Sequence, residues 1–145
     1  MKHLKIYELF FDKYNIIKKG DFVLVSTTID MQGRAIEQIY LVLDDVYFED
    51  EAVDVFAIGS FTQNYKGRKE AELIFTKYNN KARLYKNYRL LNITEKNLIY
   101  EYMSSTDKNA KVYLEIIKDK TGINLMNSKE YMDYLFKQDV NKYNL

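Results

Sequence analysis

Along residues 4–17 the apolar positions include Leu4, Tyr7, Leu9, Phe10, Phe11, Tyr14 and Ile17, among which spacings of three and four dominate. That spacing predicts a short N-terminal amphipathic helix, with Gly20 as its left-handed cap and Lys18 and Lys19 at the negative end of its dipole. The period then changes. "DFVLVSTTID" is rich in β-branched residues and predicts a strand, with "DMQGRA" as a glycine-containing hairpin turn. "AIEQIYLVL" reads as a second strand and "AVDVFAI" as a third or fourth, closed by Gly59. "SFTQNYKGRKE" reads as a polar loop. "AELIFTKY" and "ARLYKNY" predict two more strands, joined at Asn79-Asn80, a pair tolerant of left-handed backbone.

Past Leu91 the helical period returns. Thr94 is the expected N-cap of a helix in which Leu98 and Tyr102 share a face, as do Ile99 and Met103. "SSTDKNAKVYLEIIKDKTGI" predicts a second helix ended by Gly122 and followed by Ile123. Ser128 should cap a third, "KEYMDYLF". Strands run together and helices run together, which predicts an α+β domain rather than a doubly wound parallel sheet. The expectation is an N-terminal helix, about five short antiparallel strands in a curved sheet, then two or three helices. Residues 18–58, "KKGDFVLV" with "IYLVL" and "VDVFAI", resemble the strand pattern of small SH3-like barrels. The resemblance implies a fold and no function.

At 145 residues the chain is one domain in size, residues 1–145, and its 47% hydrophobic and 30% charged content is that of a folded protein. It has no cysteine, which rules out disulfides, thiolate metal sites and a cysteine nucleophile. No apolar run approaches the roughly 18 residues of a membrane span, and the N-terminal stretch lacks a signal-peptide pattern. A soluble cytoplasmic protein is expected. The absence of proline, with abundant Lys, Asn, Ile and Tyr, resembles proteins of AT-rich bacterial or phage genomes. Phosphate-binding glycine motifs and nucleophile elbows are missing. His3 is the only histidine, so neither a zinc site nor a Ser-His-Asp triad can be assembled. A non-enzymatic protein without cofactor or metal is expected, although the carboxylates of residues 44–54 leave metal or acid–base chemistry open.

A net charge of +1 hides two opposed blocks. Residues 35–65 hold seven acids (Glu37, Asp44, Asp45, Glu49, Asp50, Glu51 and Asp54) and no cation. Residues 66–90 hold eight cations against Glu70 and Glu72. Adjacent strands of opposite charge can simply pair across a sheet. Alternatively, Asp44, Asp45, Glu49, Asp50 and Glu51 project from turns around Tyr47 and Phe48. They would then form an acidic aromatic surface for a protein partner with a basic face. Small phage and mobile-element inhibitors, anti-CRISPR proteins and bacterial immunity proteins are the functional type this suggests. The other reading is a nucleic-acid-binding accessory protein using the Tyr-rich segment 65–90. There Lys66, Arg68, Lys69, Arg83, Lys86 and Arg89 would meet phosphates while Tyr85 and its neighbours stack on bases.

Overall fold

A computed structural model describes residues 16–29, 31, 33, 35–74 and 80–143. Six strands come first: β1 (Phe22–Ile29), β2 (Ala35–Val42), β3 (Val53–Gln63), β4 (Lys69–Leu73), β5 (Lys81–Leu84) and β6 (Arg89–Leu90). Three helices follow: α1 (Ile93–Met103), α2 (Lys108–Thr121) and α3 (Lys129–Tyr143). The antiparallel sheet and the three helices make an α+β fold, as the segregated pattern predicts. The helix expected over residues 4–17 lies outside the described residues, except for Ile16 and Ile17. Those two are not helical, since Ile17 bridges Val46, and strands come first among the described residues. Gly20 does have a left-handed φ of +93°, but in the turn that leads into β1.

Neighbouring strands follow the order β4-β3-β2-β1-β6, while β5 shares the β4 edge of β3. The first half of β3 pairs with β5 (Val53↔Leu84 to Phe56↔Lys81), and its second half pairs with β4 (Gly59↔Leu73 to Gln63↔Lys69). β5 and β6 therefore stand at opposite ends of the order, yet only residues 85–88 join them. A flat sheet would separate them by about 19 Å. The joining link turns at Asn87, whose φ is +64°, and is too bent to cross that distance. The sheet is curled.

Strand alternation sorts the core into two clusters. On one face Phe22, Leu24, Ile39, Leu41, Phe56 and Ile58 pack with Ile99, Tyr100 and Met103 of α1, Leu114 and Ile117 of α2, and Tyr131 of α3. On the other, Val23, Val42, Val53 and Val55 pack with Ile17 and Val46, against Tyr40, Leu84 and Tyr88. Among the described residues no helix contributes to this second cluster, which the strands and the segments around Ile17 and Val46 enclose.

Gly59 does not close β3. The strand runs on through a bulge, where Ile39 pairs with Gly59 and Tyr40 with Ala57. The extra residue reverses which positions face the helices: Phe56 and Ile58 before it, Phe61 after it. A Cβ at Gly59 would collide with the Glu72 carbonyl and lie 2.9 Å from the Leu73 Cα, so only glycine lets β4 approach there. Half of the expected polar loop is thus strand, and Phe61 is buried opposite Ala71.

Candidate protein-binding loop and apolar groove

The acidic candidates fall on one connection, residues 43–52, between β2 and β3. Val46 pins the loop from below, accepting backbone bonds from Ile16 and Ile17 and donating to Ile17. Asp45 accepts from the Lys19 amide at 2.7 Å, and Glu51 accepts from the Tyr47 amide at 3.2 Å. These two acids shape the loop. Asp44, Glu49 and Asp50 are exposed and make no hydrogen bond or ion pair among the described residues. Tyr47 is half-buried, whereas Phe48 is 56% exposed. The other two acids of the block behave differently. Asp54 pairs with Arg83 across β3–β5 at 2.8 Å, and Glu37 meets Lys69 at 2.9 Å.

Phe48 and Glu49 border a groove of about 380 Å³. Ile16, Ile17 and Val46 line it, together with Tyr85, Lys86, Tyr88 and Leu90 of the β5–β6 region. Tyr85 is 69% exposed, and Ile16 and Leu90 are also open to water. The curl therefore brings the middle of the acidic block and the end of the basic block to one apolar mouth. Neither block alone signals such a groove in the sequence.

The basic candidates are divided by the fold. Lys69, Arg83 and Arg89 are engaged internally. Arg89 grips Glu95 with two nitrogens, at 2.7 and 2.8 Å, and Lys69 reaches both Glu37 and Glu95. Glu95 is the residue that sequence reasoning missed. Its side chain is only 5% exposed, and the Arg89 hydrogen bonds above all hold its carboxyl down at about 2. It also closes the N-terminus of α1: the Asn92 side chain accepts from the Glu95 amide, and Glu95 accepts from the Asn92 amide. Asn92, not Thr94, is the N-cap, and "NITE" carried that signal in its Asn-x-x-Glu spacing.

Lys66 and Arg68 stay exposed at the β3–β4 turn, residues 64–68, which Asn64 ties together. Its side chain accepts from the Lys66 and Arg68 amides and donates to Glu70 at 2.8 Å. Tyr65 projects from this turn, with the Lys66 ammonium 5.5 Å from its ring centre. Lys86 is exposed at the groove.

Among the described residues no three His, Cys, Asp or Glu side chains converge to hold a metal ion. None of their helices is long and apolar enough to cross a membrane. His3 lies outside the described residues. No family model matches the sequence, and no curated protein or solved structure matches the chain.

Proposed function

We propose that the protein is a small non-enzymatic protein-binding module whose contact surface is the 43–52 loop and the groove beside it. The reading is supported by one asymmetry: Asp44, Glu49 and Asp50 have no partner among the described residues and flank an exposed Phe48, while three of the six candidate cations are tied to carboxylates. Unpaired acids speed the approach of a basic protein surface, and a buried aromatic ring then holds it. Asp45 and Glu51 keep Phe48 in place rather than meeting the partner. The partner is a protein with a basic face, of the kind blocked by phage or mobile-element inhibitors, anti-defence proteins or immunity proteins. The closure of β6 against β1 favours a small SH3-like barrel as the scaffold.

Affinity capture from bacterial lysate with the wild type and with Asp44→Asn/Glu49→Gln/Asp50→Asn tests the reading. The wild type should retain a basic protein that the variant loses, and that Phe48→Ala binds at least tenfold more weakly. Equal retention by all three would remove the loop from the account. The exposed Tyr65, Lys66 and Arg68 at a tied turn support a second reading, contact with nucleic acid. Under that reading, binding to oligonucleotides falls steeply with salt and is lost in Lys66→Ala/Arg68→Ala.

A further inference from the structure

Helix α3 exposes an apolar stripe that no described residue covers. Tyr131, Tyr134 and Leu135 hold α3 to the core. Met132, Phe136, Val140 and Tyr143 are exposed, Phe136 at 69% and Tyr143 at 88%. At 100° per residue these four fall within about 80° of one another, roughly 140° around the helix from the core-facing side. Every residue from Phe136 to Tyr143 is exposed, so the last two turns gain little from the packing that usually sustains a helix. Two isolated turns are marginal in water, which makes a covering partner the physical expectation.

We propose that this face pairs with the same face of a second copy, α3 against α3, antiparallel about a two-fold axis at Phe136. The pattern is self-complementary about that residue. Phe136 meets the partner's Phe136, and Met132 lies opposite the partner's Val140. Lys129 lies opposite the partner's Tyr143, where an ammonium over a phenol ring is favourable. Asp133 falls within two residues, about 3 Å of helix rise, of the partner's Lys137 on the same edge, and the symmetry makes that ion pair twice. Lys129, Asp133 and Lys137 have no ion pair among the described residues, so all are available. The four apolar side chains expose roughly 450 Å² per copy. With their charged flanks they approach the ~800 Å² per partner of a standard interface.

Light scattering coupled to gel filtration at about 100 µM, where an interface of this size should be occupied, gives the first reading. The wild type should run as a dimer, and Phe136→Glu should raise the dissociation constant tenfold or more. The chain has no cysteine, so Phe136→Cys under mild oxidation should yield a single covalent dimer, as an axis through this residue requires. Asp133→Lys should weaken the dimer, and Asp133→Lys/Lys137→Asp should restore it. These positions are solvent-exposed, and a retained cooperative thermal unfolding transition in circular dichroism confirms that the variants fold, at a lower midpoint where the dimer is lost. A monomeric wild type overturns the proposal, whether residues 1–15 or a foreign protein covers the stripe instead. A dimer that survives Phe136→Glu overturns it equally.

Discussion

The two ends of β3 carry similar densities of charge and treat them in opposite ways. At its C-terminal end, Glu37, Lys69, Arg89 and Glu95 from three strands and a helix close on one another, and Asn64 ties the adjoining turn. At its N-terminal end, Asp44, Glu49 and Asp50 face water beside an apolar groove. The difference lies in register rather than in residue type. Glu37 pairs across β2–β3 with Phe61, close enough to Gln63↔Lys69 for the ammonium to reach it. The loop acids have no strand opposite them. A block of charge in a sequence is therefore not one object; strand pairing divides it into satisfied and unsatisfied members.

Substitution at the closed end should produce the largest effect. Glu95→Ala strands Arg89 and Lys69 and removes half of the capping box, so it should cost about 3 kcal/mol, read from urea denaturation midpoints. A loss below about 1 kcal/mol would show that the network adds little. Acid should reproduce much of this without mutation. The folded state holds the Glu95 carboxyl at about 2, below its ordinary value. Its stabilisation is therefore complete above about pH 5 and is lost as pH falls towards 2, at most on the order of 3 kcal/mol. Thermal melts between pH 6 and 2 should show a decline that is shallower in Glu95→Gln. The open end should give the smallest effect. Asp44→Asn/Glu49→Gln/Asp50→Asn should change stability by no more than about 0.5 kcal/mol in the same denaturation assay, because no described contact is lost. A larger change would mean that the loop acids hold the fold.

Helices α1 to α3 and the β1–β2 hairpin were legible because their signals are local, whereas the helix expected before β1 is not among the described elements. Ser128 accepts from the Tyr131 amide, and Gly122 ends α2 at a φ of +75°, both as the sequence predicts. Gly59 misled because a glycine that ends a strand and one that admits a neighbouring backbone look alike in one dimension. "SFTQ" misled because the bulge shifts the alternation by one, so Phe61 faces inward out of step with Phe56. The acidic loop was found as a segment, but the separation of Asp45 and Glu51 from Asp44, Glu49 and Asp50 depends on hydrogen bonds that no spacing encodes. The groove was invisible because its two walls are some 40 residues apart in the chain.

The short β6 strand bears on the order in which the fold assembles. β1–β2, β2–β3 and β3–β4 each join neighbours in sequence, so each can form with a small loss of chain entropy. Val23 and Leu90 are 67 residues apart and are secured by only two register pairs, with the Leu91 amide reaching Phe22 beyond them. This seam can close only after the meander has shaped the sheet, when Glu37 of β2 and Lys69 of β4 come within reach of Arg89 and Glu95, a pair only six residues apart in the chain. The Lys69–Glu95 bridge, 26 residues apart in the chain, is thus a latch that loop-closure entropy sets late, between a sheet that assembles locally and the helix that follows it.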